Sequence, residues 1–271
     1  MDVPPTYDAA ALARAQAQRL QRSLHGWLLF LVALGLVHFA GIAWPVIGRL
    51  GVLPLEPIGL LGLLTAPLLH ADFGHLLSNA FPLLVLGTLV GTIYPRSASR
   101  LVLLGWLGAG LITWFIGRPS IHIGASGLVH ALFFAVFALA VLRRDRPAIV
   151  AALVAALLFG GMLLTVLPQE LRISWEMHAG GALSGLLAAW FWRHRDPPPP
   201  RAPYSWEIEA EQAEALTEVK ALDAATFEPE RPREVPVLWV RPEPGSEATE
   251  EPRGRVLPFR RPAPPPEEQG P

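Results

Sequence analysis

The sequence predicts an all-α membrane protein: a bundle of six helices crossing a bilayer, followed by a disordered cytoplasmic tail. Two observations carry that prediction. The 271 residues are 52% hydrophobic with a mean hydropathy of +0.37, too apolar for an ordinary soluble domain. The composition also changes abruptly along the chain. From residue 197 onward lie 17 of the 28 prolines with 15 acidic and 9 basic residues, whereas between 25 and 195 charges fall only between long uncharged runs. Three regions follow: a polar N-terminal segment 1–24, a membrane domain 25–195, and a Pro/Glu/Arg-rich, mostly disordered tail 196–271. The net charge of −1 averages over these regions and decides nothing. The absence of cysteine excludes disulfides and thiolate metal sites. The leading 24 residues are polar and alanine-rich, and the apolar run after them is too long for the core of a cleavable signal peptide.

Crossing a bilayer core takes about 20 mostly apolar helical residues. Six stretches qualify, near 26–47, 75–94, 101–117, 126–142, 148–167 and 177–192. The third, fourth and sixth are short, which implies helices that start below the membrane surface or a thinned bilayer. The intervening stretch 49–69 is apolar but broken by Pro54, Pro57, Gly59, Gly62 and Pro67, and so predicts an interfacial loop with short helices. Orientation follows from basic residues. Ten arginines, from Arg14 to Arg195, collect on one side of this arrangement, against Arg49, Arg118 and Arg172 on the other. Both termini are therefore expected in the cytoplasm. The scarcity of lysine and cysteine beside abundant Ala, Arg and Pro suggests a GC-rich bacterial genome, hence an integral, multi-pass protein of the plasma (inner) membrane.

Polar groups within spans are costly and usually face the bundle interior or a water-filled cavity. The conspicuous ones are Ser126 and His130 in the fourth span, His178 in the sixth, and His75 and Asn79, four apart on one face of the second. Ser126, His178 and the His75/Asn79 pair all open their helices from the outer side, at similar depth. A serine hydroxyl needs a base within hydrogen-bond reach, which His178 can supply. An oxyanion needs fixed donors: the His75 and Asn79 side chains and the Ser126 backbone N–H at a helix start. Gly181 and Gly185 on the sixth helix, with Gly127 and Ala131 on the fourth, form small-residue faces that let two backbones approach closely in lipid. One serine or histidine in such a bundle is more often interhelical glue; several at one depth, with Gly-x-Ser-Gly at a helix start, favour chemistry.

The stretches HADFGHLLSN (70–79), GASG (124–127) and HAGGALSG (178–185) resemble, in order and helical context, the three signature motifs of the rhomboid intramembrane serine proteases. The resemblance covers about 26–192. It implies a rhomboid-like bundle in which Ser126 is the nucleophile and His178 its general base, a dyad without a carboxylate. His75 and Asn79 would bind the oxyanion. Supporting residues would be His70, the structural histidine of the first motif, with Gly124, Gly127, His130, Gly181 and Gly185. The implied activity is hydrolysis of peptide bonds in transmembrane protein substrates within the lipid bilayer, with no metal, cofactor or nucleic acid involved.

Three departures stand out. The family's common Trp-Arg pair in the first loop is missing. Gly91 stands where many members carry an acidic residue one turn beyond the glycine of the second helix. His130 occupies the position, four after the serine, where an aromatic commonly stacks on the catalytic histidine. His130 is expected to pack on His178, either tuning its protonation or only filling a helix interface. The other histidines read plainly: His38 as packing, His122 as a solvated loop residue or the mouth of the cavity, His25 and His194 at membrane edges. No His-Glu-x-x-His spacing is present. Residues 206–227 predict a short acidic helix, and the proline-rich remainder buries too little to offset its conformational entropy. The alternatives to a protease are a silent rhomboid-like protein that binds membrane clients, and a small transporter or channel. The latter predicts charge at the bilayer midplane, which the spans lack.

Overall fold

The computed structural model describes residues 9–168, 173–198 and 203–226. The tail beyond 226, Arg172 and the first eight residues, which figure in the expectations above, lie outside them. The chain divides into two compact units, Met1–Pro203 and Tyr204–Pro271. The first holds α1 (Ala9–Ala43), α2 (Gly62–Thr65), α3 (Phe73–Ile93), α4 (Ala98–Ile116), α5 (Ser126–Arg143), α6 (Arg146–Phe159) and α7 (Trp175–Trp192). The second contributes α8 (Ser205–Thr226), where the acidic helix was expected.

Among the described residues, five helices are long and apolar enough to cross a membrane: α1, α3, α4, α5, and α6 extended by the 3-10 turn Gly160–Leu163. The sixth expected crossing, α7, matches α5 in length at 18 residues, but Glu176, His178, Ser184 and three glycines dilute its hydropathy. An 18-residue helix rises about 27 Å, a little less than the roughly 30 Å hydrocarbon core. α1 differs from expectation at its start. Residues 9–24 of the polar N-terminal segment form the first turns of the same 35-residue helix, because their alanine, glutamine and arginine are strong helix formers.

Local chemistry sets the helix ends. Asp72 caps α3 by accepting from the His75 N–H at 2.8 Å, and Asp145 caps α6 by accepting from Ala148 at 3.0 Å. Arg144, in the left-handed conformation at φ 56°, stops α5. The α5–α7 contact is the broadest in the bundle, followed by α4–α7 and α1–α3. α5 is accordingly the most buried helix, with Leu128, Leu132, Phe133 and Val136 in the core. Apolar side chains also cover the outside: Leu29, Leu36, Leu157 and Phe191 are 71%, 67%, 85% and 68% exposed. His70, Asn79, His130, Glu176 and His178 meanwhile lie inside. A polar interior within an apolar exterior suits lipid, not water.

Candidate active site

The site is built on the crossing of α5 and α7. A Cβ on Gly181 would sit 2.1 Å from the Gly127 carbonyl oxygen, and one on Gly185 would sit 2.1 Å from that of Ala131. The two backbones therefore touch at successive turns, through the residues expected to form small faces. Ser126 and His178 lie immediately above this contact: Ser126 precedes Gly127, and Met177 packs against the space where a Gly127 Cβ would be. Among the described residues the Ser126 hydroxyl makes no hydrogen bond, to His178 or to any other group.

The loop before Ser126 is held by the segment that opens α3. Gly124 has φ +116°, a conformation L side chains rarely adopt, and its N–H donates to the Ala66 carbonyl at 2.9 Å. A Cβ there would lie 2.6 Å from His75 Nε2 and 3.8 Å from Asn79 Nδ2. The missing side chain thus leaves a small space walled by a histidine nitrogen and an amide nitrogen. His75 Nδ1 accepts from the Ala71 N–H at 3.5 Å, which leaves the proton on Nε2, facing Gly124. Asn79 Nδ2 donates one hydrogen to the His75 carbonyl at 2.9 Å and keeps the other. His70 accepts at Nε2 from the Ala125 N–H at 3.4 Å. Burial, and next the neighbouring His75, push the His70 imidazole down to about 4, so it is the neutral ring that accepts this bond.

His178 Nδ1 donates to the Thr165 carbonyl at 2.9 Å, and its ring stacks on that of His130 with centroids 4.0 Å apart and planes 13° off parallel. His130 in turn donates from Nδ1 to the Ser126 carbonyl at 2.7 Å, and its Nε2 lies 2.8 Å from the Thr165 hydroxyl.

His122 corrects the reading of it as a solvated loop residue: it is 3% exposed. Its backbone pairs with Val52 in both directions, at 2.8 and 2.9 Å, and its ring joins the Arg118 carbonyl at 3.0 Å to Ser174 Oγ at 2.6 Å. Since a carbonyl only accepts, Nε2 carries the proton and Nδ1 accepts from the Ser174 hydroxyl. His122 therefore ties the first loop, the α4–α5 loop and the start of α7 together. Beside it, Arg118 forms an ion pair with the wholly buried Glu176 at 2.6 Å and donates to the Ile173 carbonyl at 2.8 Å. Sequence reasoning passed over this pair. The available signal was Glu176, an acidic residue two before His178, which marks a partner without naming it.

Two of the family departures now have local explanations. Without a Trp-Arg pair, the first loop is fastened by the Val52–His122 bridge, by Leu55 N–H to the Trp114 carbonyl at 3.0 Å, and by the Trp114 indole to the Glu56 carbonyl at 2.9 Å. Gly91 makes room for Ser23, whose oxygen would lie 2.1 Å from a Cβ there, while Gly87 likewise receives the Trp27 ring. Close α1–α3 packing stands where an acidic side chain was absent.

An apolar helical bundle that buries a cluster of histidines and an asparagine around one end of two touching helices is an integral membrane protein with an internal polar site. The rhomboid domain model matches residues 59–195, half of the chain, and the protein belongs to the rhomboid family. Uncharacterized proteins of Mycobacterium tuberculosis and Mycobacterium bovis are each 42% identical to it over 154 residues, covering 52% of this chain and 62% of theirs. One from Mycobacterium leprae is 38% identical over 151 residues, covering 52% of this chain and 59% of its own. The matches thus span less than two thirds of those relatives.

Proposed function

We propose that the protein is an intramembrane serine endopeptidase that hydrolyses peptide bonds of transmembrane substrates, with Ser126 as nucleophile and His178 as general base. The observation that carries this reading is the contact of His178 Nδ1 with the Thr165 carbonyl oxygen at 2.9 Å, an acceptor only. The Nδ1–H is thereby committed to that carbonyl, which leaves the Nε2 lone pair free to take a proton from a hydroxyl. Ser126 Oγ attacks the scissile carbonyl as its proton passes to Nε2. The oxyanion forms beside Gly124, where the His75 Nε2–H, the second Asn79 Nδ2–H and the Ser126 backbone N–H donate to it. His178 then protonates the leaving amine, and water, activated by the same nitrogen, releases the acyl group. The unmade Ser126–His178 bond is compatible with this sequence, since catalytic hydrogen bonds often tighten only once substrate is bound.

Labelling with a serine-directed fluorophosphonate in liposomes tests the proposal. The parent is expected to label and Ser126→Ala is not. Failure of the folded parent to label favours the alternative, a rhomboid-like protein that binds membrane clients without cutting them. We also place the site end of the bundle on the outer side of the membrane, with the arginine-rich end in the cytoplasm.

A further inference from the structure

Thr165 lies in the turn that follows the 3-10 helix Gly160–Leu163 and touches both stacked histidines. Its carbonyl accepts the Nδ1–H of His178 at 2.9 Å, and its hydroxyl lies 2.8 Å from Nε2 of His130. Proton accounting fixes the roles. His130 Nδ1 faces the Ser126 carbonyl, an acceptor only, so Nδ1 carries hydrogen and the neutral ring has a bare Nε2. The Thr165 hydroxyl is the donor to that nitrogen, with the Met162 carbonyl at 3.1 Å as its competing acceptor. His130 and His178 are 3% and 9% exposed, so water contributes little to holding either ring.

We propose that Thr165 is a positioning residue that acts through His178: its hydroxyl anchors the turn to His130, and the carbonyl so anchored holds His178 as the Nδ1–H tautomer. This deepens the protease reading and rests on it for the kinetic part only. The arrangement does the work that a carboxylate does in three-membered serine sites, orienting the ring and choosing its tautomer. It does so with a neutral carbonyl, which avoids burying a carboxylate charge in lipid. His130 is the second half of the device. A tyrosine or phenylalanine there would stack, but would lack the ring nitrogen that receives the hydroxyl of Thr165.

The test has two arms. In ¹⁵N-histidine NMR of the full chain in micelles, with the His178 signal assigned through His178→Gln, the parent is expected to show His178 protonated at Nδ1 and bare at Nε2. The opposite tautomer would overturn the proposal whether or not the protein cleaves anything. In cleavage of a transmembrane peptide, Thr165→Val keeps shape and carbonyl but loses the hydroxyl. It is expected to lower kcat about tenfold, the scale of one hydrogen bond's worth of orientation, with KM within about twofold. Thr165→Ser, which retains the donor, is expected to restore kcat. Unchanged kcat in Thr165→Val, or equal loss in Thr165→Ser, would reduce Thr165 to a packing residue. An inactive parent that still shows the Nδ1–H tautomer would fault the protease reading and leave the positioning geometry standing.

Discussion

At the scale of single residues, the His70 imidazole couples the loop before Ser126 to pH. It accepts the Ala125 N–H through Nε2 as a neutral ring, and burial, with His75 beside it, lowers it from 6.5 to about 4. The folded value lies below the unfolded one. Between those two values the unfolded chain therefore binds a proton that the folded chain refuses. Stability is complete above about pH 6.5, is lost as pH falls toward 4, and loses nothing further from this group below that. The full contribution is about 3 kcal/mol. Denaturation in detergent from pH 7 to 4 should show the parent losing stability more steeply than His70→Gln, which cannot take up the proton. Parallel curves would mean that another group governs the acid limb. Residue types with distinctive chemistry were readable in this way from the chain alone: the histidines, the asparagine and the serine each advertise a donor, acceptor or nucleophile. Thr165 was not readable, because its link to His178 uses a backbone carbonyl that every residue possesses. Nor was the Arg118–Glu176 pair, whose members lie 58 apart in sequence and meet only when α4 and α7 are packed.

At the scale of helices, glycine spacing determines what can meet. Gly127 on α5 and the Gly181/Gly185 face on α7 could be picked out in sequence because small residues four apart share a helix face. Their pairing could not, since any two such faces look alike until the bundle forms. In the structure the contact leaves no space for one methyl group. Gly181→Ala would drive a Cβ to 2.1 Å from the Gly127 carbonyl oxygen, so α5 and α7 must part. The expected cost is on the order of 1–3 kcal/mol and, on the protease proposal, loss of most Ser126-dependent fluorophosphonate labelling, because Ser126 and His178 ride on the separated helices. Gly161→Ala is the control: nothing lies within 4 Å of its Cβ position, and its thermal midpoint should stay close to the parent's. Equal effects of the two substitutions would show that glycine matters here through chain flexibility and not through helix contact.

At the scale of the whole molecule, an apolar surface fits a bilayer either way up, so direction is set by charge. The argument for one direction is electrostatic. Ten arginines against three, counted along the sequence outside the expected spans, predict that the arginine-rich end faces the cytoplasm, where basic segments are retained during insertion. The site end would then open toward the outside, and substrates would be cut near that surface. The cysteine-free chain makes this directly measurable, because a single introduced thiol has no background. Ile121→Cys lies in the α4–α5 loop at an exposed position, and Arg146→Cys lies at the exposed start of α6, at the opposite end of α5. In intact cells a membrane-impermeant maleimide should label the first and reach the second only after permeabilisation. The reverse pattern would turn the bundle over. It would put Ser126 and His178 at the cytoplasmic face and substitute a different population of substrates, while leaving the packing of α5 on α7 and the hydrogen bonds of His178 unchanged.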